Sequence, residues 1–262
     1  EISIQGATLE RLAKQVGRRV KHEPLAYIRG KTQFYGREFI INKHVLEPRP
    51  ESETMIELAL KVIGDRFQVT DNIGVIDVGV GSGALAITMK LEIPKIDIYG
   101  TDISKNCIHV AKMNAKKFDV NAHFYQGNIL EPLYNLEPIL RRQSGFTYVE
   151  PGNVFSLSSE IKRMDDTLHE QRKGKTLPGT QANSRVASSA RKHAAGDTWI
   201  LLANLPYVPD DFTLNNAAMN EPRQAIFGGP DGLALYRRLF LQIAKNWQDY
   251  AAQAGKILEL SK

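Results

Sequence analysis

The sequence predicts an α/β protein built on a doubly wound parallel sheet, and three stretches carry this prediction. Residues 75–88 indicate a buried strand, a glycine-rich turn and a helix. Residues 96–118 repeat the order of strand and helix, and consecutive βα units are typical of a parallel sheet. Residues 199–203 are a short apolar run without turn formers, which indicates another buried strand. We place this domain at residues 46–262, after a small N-terminal segment of residues 1–45.

Composition limits the classes of protein to consider. The chain has 262 residues, enough for one large or two small domains, and its 42% hydrophobic and 24% charged residues are ordinary for a globular protein. No apolar run approaches the roughly 20 residues of a membrane span, and no signal peptide is recognisable, so we expect no membrane attachment. The single cysteine, Cys107, excludes an internal disulfide and a cysteine-rich metal site. We therefore expect a reducing compartment or indifference to redox. Separately, we expect a monomer that needs no metal.

The N-terminal segment and the linker after it have their own patterns. Apolar residues recur at helical spacing in residues 8–20, which predicts an amphipathic helix. Residues 34–42 predict a hairpin, because aromatic and β-branched residues flank a glycine turn. Two prolines make residues 45–53 a rigid, polar linker. Pro50 is expected to open the next helix and Gly64 to end it.

The glycine-rich turn is the first candidate site. Glycines lack Cβ, so a ligand can approach their backbone, and the next helix offers unpaired N–H groups at its start. The following strand ends at Asp102, a position suited to ribose hydroxyls. A dinucleotide and S-adenosylmethionine fit this pattern equally, so the residues predict a nucleoside-containing cofactor without choosing between them. The candidate residues are Asp77, Gly79, Gly81, Ser82, Gly83 and Asp102.

Two later segments have weaker patterns. After a third predicted strand, residues 122–126, Asn128 could accept a hydrogen bond from an adenine amino group and Ile129 could cover the ring, although an ordinary turn Asn fits equally. Periodicity then fades over residues 141–196, which contain ten Lys and Arg against five Asp and Glu, whereas the rest of the chain has 24 of each sign. We predict a basic, low-complexity insertion, either a solvated linker or a surface that touches RNA.

The exit of the strand at 199–203 is the second candidate site. In open α/β sheets ligands sit beyond the carboxyl ends of the strands, and here Asn204 follows directly. Pro206 restricts Leu205 to an extended conformation, so the Leu205 carbonyl points in a limited direction. The Asn204 oxygen and this carbonyl form two acceptors for a planar NH₂ group, against which Tyr207 can pack. An ordinary strand followed by a Pro-containing turn remains the plainer alternative.

Together these motifs resemble the HemK/PrmC family, S-adenosylmethionine-dependent methyltransferases that modify the glutamine amide in the Gly-Gly-Gln motif of peptide-chain release factors. The similarity covers most of residues 24–139 and 197–262. It rests on six ordered motifs, at residues 25–30 with the following Phe-Tyr-Gly, 48–51, 77–83, 102–104, 204–207 and 221–232.

The resemblance implies a Rossmann-like methyltransferase fold, S-adenosylmethionine as the cofactor, and a release factor as the protein substrate, without a nucleic-acid substrate or a membrane. It implies that the catalytic residues are Asn204, Leu205, Pro206 and Tyr207. It implies cofactor contacts from Asp77, Gly79, Gly81, Ser82, Gly83, Asp102, Ile103, Asn128, Ile129 and Asn204, and substrate contacts from Arg49, Glu51 and Glu221.

The sequence also departs from the family pattern, and alternatives stay open. Leu205 replaces a proline, Asn128 replaces an acid, and the basic insertion and short N-terminal helical part suggest a eukaryotic, mitochondrial member, with the cytoplasm as the alternative. A methyltransferase acting on an exocyclic amine of a nucleic acid would use the same two acceptors. A catalytically inactive module that binds release factors or ribosomes is a second alternative, and a nicotinamide-dependent oxidoreductase ranks last.

Overall fold

The computed structural model describes residues 6–66, 73–134, 143–150, 153–156 and 197–245. The helices are α1 (Gly6–Val20), α2 (Leu25–Arg29), α3 (Glu53–Arg66), α4 (Ala84–Glu92), α5 (Lys105–Lys117) and α6 (residues 234–245). The strands are β1 (Lys31–Phe34), β2 (Arg37–Ile40), β3 (Ile73–Val78), β4 (Asp97–Asp102), β5 (His123–Gln126), β6 (Gln143–Glu150), β7 (Asn153–Ser156) and β8 (Asp197–Ala203). No helix within these ranges is long and apolar enough to cross a lipid bilayer.

Six strands form the main sheet in the order β5-β4-β3-β8-β6-β7. All neighbouring pairs are parallel except β6 and β7, which are antiparallel. From β3 the chain adds β4 and β5 on one side, and the later strands lie on the other side. The strand order therefore reverses between β3 and β8, and such a switch point opens a crevice at the carboxyl ends of the strands.

Both faces of the sheet are covered by helices. Along β8, Ile200 and Leu202 belong to a core cluster with residues of α3, α4 and α5. Leu201 and Ala203 belong to a second cluster, to which α6 contributes Leu239. This alternation is what a strand buried on both faces requires, since successive side chains point to opposite sides. The predicted doubly wound, Rossmann-like sheet is confirmed.

The N-terminal hairpin shares the first core with the sheet. Tyr35 and Gly36 form its turn with φ of 49° and 68°, which confirms the predicted hairpin. Phe34 and Phe39 are buried in the core cluster that contains residues of α3 and α4. The Phe39 ring also lies 4.8 Å from that of Phe118, centroid to centroid, just after α5. The hairpin is therefore held to the sheet domain by apolar packing.

Two helices differ from expectation in detail. The predicted N-terminal helix forms, but its apolar residues Leu9, Leu12, Val16 and Val20 are 46–72% exposed. The prediction that α3 ends at Gly64 is wrong, because the helix continues to Arg66. A glycine ends a helix when it adopts a left-handed conformation, whereas Gly64 has no positive φ.

The predicted insertion begins with strands. Residues 143–150 and 153–156 form β6 and β7, so an unstructured insertion is wrong for these residues. Residues 146–149 are Phe-Thr-Tyr-Val, all residue types that favour strands, and β6 pairs with β8 on one side and β7 on the other. This short local pattern is hidden in the Ser-, Lys- and Arg-rich composition of the whole segment. The rest of 141–196, the end of the helix predicted at 233–250 and the strand predicted from 256 lie outside the described residues.

Candidate active site

The two predicted sites meet at the switch point of the sheet. β3 and β8 are paired so that Val78 lies opposite Ala203, and the next residues, Gly79 and Asn204, leave the sheet side by side. The Leu205 side chain packs on the glycine turn, with Cδ2 3.2 Å from where a Cβ on Gly79 would stand. The fold thus brings the glycine turn and the Asn204 segment together across a sequence separation of more than a hundred residues.

Asp102 holds the glycine turn in shape. Its Oδ2 accepts a hydrogen bond from the Gly81 N–H at 3.0 Å, and its Oδ1 accepts one from the Ser104 N–H at 2.8 Å. Burial raises the pKa of the carboxyl group, and these two hydrogen bonds oppose the rise. A carboxylate offers about four lone-pair sites, so Asp102 retains acceptor capacity for the ribose contact predicted from the sequence.

Asp77 is buried beneath the same turn with one oxygen unsatisfied. The residue is 1% exposed, and its Oδ2 accepts a hydrogen bond from the Ala86 N–H at 3.1 Å. Its Oδ1 has no hydrogen-bond partner. Burial raises the pKa of Asp77 from 3.8 to about 7. An unpaired buried oxygen of this kind is costly to the folded state, and that Asp77 contacts the cofactor stays a prediction.

The glycines of the turn have different surroundings. A Cβ on Gly81 would meet only the Gly79 carbonyl oxygen, at 3.9 Å, so open space lies on that side. A Cβ on Gly83 would lie 2.9 Å from Ile87 Cδ1 and 3.2 Å from Ala111 Cβ. Gly83 therefore allows α4 to pack on α5, while Gly81 borders open space at the predicted cofactor site.

Replacing each of these glycines by alanine should separate binding from folding. Both have positive φ, so either alanine costs about 1–2 kcal/mol of backbone energy. We expect Gly81→Ala to weaken S-adenosylhomocysteine binding about tenfold beyond the effect of that strain, because its methyl group enters the open space. Gly83→Ala, the matched control, should lower the melting temperature further by crowding Ile87. Calorimetric titration and thermal unfolding measure both, and unchanged affinity in Gly81→Ala would mean that the cofactor lies elsewhere.

Four other predicted cofactor residues have different surroundings. Ile103 follows β4 and is exposed, as a residue that packs on a bound ring would be. Asn128 Nδ2 donates to Glu131 at 2.9 Å, and Arg238 donates to its Oδ1 at 3.4 Å, so the side chain is already engaged. Ile129 is buried in the second core cluster with φ of 56°, a conformation rare for a β-branched residue. Ser82 is buried within the turn itself.

The segment after β8 is held from both sides. Asn204 Nδ2 donates to Ser52 Oγ at 2.8 Å. The Leu205 carbonyl accepts a hydrogen bond from the Tyr236 hydroxyl at 3.3 Å, which uses one of its two lone pairs. Leu205 itself is buried, so the residue that replaces proline anchors the segment through its side chain. Tyr207 is 62% exposed and available to a ligand.

A glycine-rich loop, residues 226–232, packs on the backbone of the Asn204 segment. The Val208 N–H donates to the Ile226 carbonyl at 3.0 Å, and the Gly228 N–H donates to the Val208 carbonyl at 2.9 Å. A Cβ on Gly228 would lie 2.3 Å from the Pro206 oxygen, closer than atoms can approach. The glycine in this loop is thus explained by its contact with the candidate catalytic segment.

The three residues predicted to contact substrate differ in burial and in ion pairing. Arg49 and Glu221 form an ion pair across 172 residues, with the Glu221 side chain buried and that of Arg49 half-exposed. Burial raises the pKa of Glu221, and Arg49 opposes that rise. The pair ties the linker to the loop that follows β8. Glu51 is exposed and forms no ion pair among the described residues.

Asn114 is a residue that the sequence analysis missed. It is fully buried on α5, where its Oδ1 accepts from the Ile40 N–H at 2.7 Å. Its Nδ2 donates to the carbonyls of Ile40 and Ser82, both at 2.9 Å. One side chain therefore links the hairpin to the glycine turn. The available signal was an amide within the apolar face of a predicted helix, since a buried polar group must have partners.

The described residues contain neither a candidate metal site nor a reactive thiol. No group of three or more His, Cys, Asp or Glu in the described part of the chain is placed to hold a metal ion. Burial raises the pKa of the Cys107 thiol to about 12, so it is not a thiolate nucleophile at neutral pH. That the reaction needs no metal stays a prediction.

Methyltransferases are among the known proteins that this chain resembles. Residues 69–139 match a family described as a methyltransferase domain. A release factor glutamine methyltransferase of Bacillus subtilis is 43% identical over 165 residues, which cover 62% of this chain and 56% of that protein. A release factor glutamine methyltransferase of Bacillus anthracis is 29% identical over 245 residues, covering 92% of this chain and 66% of that protein.

The solved structures add little to these matches. A ribosomal protein L11 methylase from Lactobacillus delbrueckii is 20% identical in a match that covers 39% of this chain and 52% of that one, with a TM-score of 0.29. The chain spans about half to two thirds of the length of the two Bacillus relatives. The domain match supports S-adenosylmethionine as the cofactor. The chain is thus similar to release factor glutamine methyltransferases over most of its length.

Proposed function

We propose that this protein transfers a methyl group from S-adenosylmethionine to the side-chain amide nitrogen of the glutamine in the Gly-Gly-Gln motif of a peptide-chain release factor. The observation that carries the proposal is the position of Asn204 beside the glycine turn, with Nδ2 bound to Ser52 and no partner for Oδ1 among the described residues. The Bacillus relatives, which are named for this activity, support the substrate class.

The chemistry demands alignment more than acid–base catalysis. When bound, S-adenosylmethionine would supply a methyl group on a sulfonium sulfur: the carbon–sulfur bond would break as the nitrogen–carbon bond forms, S-adenosylhomocysteine would leave, and the nitrogen would lose one proton to solvent. The amide nitrogen is a poor nucleophile because its lone pair is delocalised into the carbonyl, so the protein must orient it and stabilise the positive charge that develops on it. Asn204 Oδ1 and the free lone pair of the Leu205 carbonyl accept the two N–H groups, which turns the nitrogen lone pair towards the methyl carbon. Tyr207 flanks the amide plane.

Around this centre, other residues have supporting roles. The glycine turn, with Asp77 and Asp102, holds the cofactor. Arg49 and Glu221 fix the loop beside the substrate, and Glu51 is exposed for contact with it. The N-terminal helix and hairpin, residues 1–45, dock the protein substrate, and the exposed apolar side of α1 is available for such a contact.

Mass spectrometry of a release factor tests the proposal directly. After incubation with this protein and S-adenosylmethionine, we expect one added methyl group on the glutamine of the Gly-Gly-Gln motif and none on a release factor in which that glutamine is replaced by alanine. Tritiated methyl groups recovered on RNA or DNA would instead support the nucleic-acid alternative. Cofactor binding without transfer to either would indicate an inactive binding module.

We further propose that the protein is a eukaryotic, mitochondrial member of this group that acts as a monomer. The basic excess of residues 141–196, ten Lys and Arg against five Asp and Glu, supports the proposal. Fractionation of cells that carry the tagged full-length protein should recover it with mitochondria. Recovery from the cytosol would contradict the mitochondrial location. A dimeric mass by light scattering would contradict the monomer.

A further inference from the structure

The two ends of the Asn204 amide have opposite hydrogen-bonding roles. Oδ1 accepts and Nδ2 donates, and a half-turn about the last side-chain bond exchanges them. A substrate NH₂ group consists of donors only, so it is matched when Oδ1 faces the crevice and mismatched when Nδ2 does. The proposed reaction therefore depends on the orientation of one side-chain amide.

Ser52 is the hydrogen-bond partner of the Asn204 amide in the required orientation. Its Oγ accepts the hydrogen bond from Nδ2 at 2.8 Å, and the residue is only 5% exposed. With Nδ2 bound to Ser52 and Oδ1 bound to a substrate N–H, every polar atom of the amide has a partner. Without the hydroxyl, the same orientation leaves Nδ2 unpaired, which costs about 1–3 kcal/mol when the group is buried.

The linker holds Ser52 in place from two directions. Towards the hairpin, the Glu53 carboxylate accepts a hydrogen bond from the Tyr35 N–H at 2.7 Å. Towards the crevice, Arg49 pairs with Glu221. The Ser52 N–H also donates to the Arg49 carbonyl at 3.0 Å, closing the short turn that precedes α3. The hydroxyl is thus presented from a fixed backbone.

We propose that Ser52 is a positioning residue that orients the Asn204 amide so that Oδ1 accepts from the substrate. The proposal rests on the proposed function for its catalytic consequence. Ser52 belongs to the linker, residues 45–53, so the linker has a role distinct from substrate contact. It sets the geometry of Asn204, the residue that contacts the reacting nitrogen.

Kinetics of three variants test the catalytic consequence. We expect Ser52→Ala to lower kcat for glutamine methylation about tenfold, with KM and S-adenosylhomocysteine affinity nearly unchanged, since one hydrogen bond of about 1.4 kcal/mol is lost. Ser52→Thr keeps the hydroxyl and should restore most of kcat. Thr88→Val, the control, removes a buried hydroxyl that has no partner and should leave kcat unchanged. Wild-type kcat in Ser52→Ala would overturn the proposal.

A spectroscopic measurement tests the contact without any turnover. In ¹⁵N-labelled full-length protein, the side-chain NH₂ signals of Asn204 are identified by their loss in Asn204→Ala. We expect slow hydrogen exchange of these protons in wild type and Ser52→Thr, and fast exchange with a shifted resonance in Ser52→Ala. Unchanged Asn204 signals in Ser52→Ala would refute the positioning role. If these signals behave as expected while no glutamine is methylated, the proposed function fails and the Ser52–Asn204 contact stands.

Discussion

Replacing Asn204 by alanine is expected to lower kcat for methyl transfer by at least about 10²- to 10³-fold, the usual effect of removing one preorganised group that stabilises a transition state. The variant loses the acceptor that orients the amide nitrogen. Its affinity for S-adenosylhomocysteine should stay within about twofold of wild type, because the glycine turn and both aspartates are untouched. Initial rates at saturating substrate and calorimetric titration measure the two effects separately.

An alanine at Asn121 provides the control for this variant. Asn121 is an exposed asparagine after α5, and its replacement should change neither rate nor affinity. If Asn204→Ala loses cofactor affinity as severely as it loses rate, Asn204 holds the cofactor rather than the substrate amide, and the catalytic role assigned to it is wrong.

Asp77→Asn is expected to weaken cofactor binding about 10- to 100-fold while stabilising the cofactor-free protein at alkaline pH. The carboxylate offers a cationic ligand a charge-assisted hydrogen bond, which is worth about 1.5–3 kcal/mol and is weakened when the acceptor becomes a neutral amide. The nearly isosteric amide keeps an oxygen for the Ala86 N–H, so the local packing is preserved.

The pH dependence of this variant follows from the raised pKa of Asp77. Since the folded protein holds the proton up to about pH 7 and the unfolded chain releases it near 3.8, the folded state becomes less stable as pH rises between these values. Above pH 7 the penalty is complete and reaches about 4 kcal/mol. The melting temperature of Asp77→Asn should therefore exceed that of wild type at pH 8 and approach it at pH 4.

Asp97→Asn serves as the control for this pH effect, because Asp97 is an exposed carboxyl at the start of β4. Its melting curve should follow that of wild type across the whole range. The contrary outcome is that the stability of wild type, relative to that of Asp77→Asn, increases from pH 4 to pH 8. This outcome would show that the Asp77 carboxylate already has a partner in the cofactor-free state.

Local patterns in the sequence were enough to predict β3, β4, β5 and β8 and the two candidate segments at their exits, but not β6 and β7. The glycine turn and the strand before Asn204 each show their character within ten residues, and the pairing of parallel strands then brings their exits together. The contacts that complete the site lie between distant residues. Ser52 and Asn204 are 152 residues apart, and no local periodicity indicates that they meet.

The roles of charged and polar residues were the hardest to predict. Arg49 and Glu221 were expected to contact substrate, and the fold pairs them with each other. Asp102 was expected to bind ribose, and it also accepts hydrogen bonds from the turn that surrounds the cofactor space. Composition gives the type of group but not its partners, because those are set by tertiary packing.

The buried amide of Asn114 makes the hairpin and the cofactor turn interdependent. Its three hydrogen bonds end on Ile40 and Ser82, so a version of the chain that begins after the hairpin would leave two of them unmade in a dry interior. The hairpin therefore cannot be removed without disturbing the glycine turn, where we predict that the methyl donor binds.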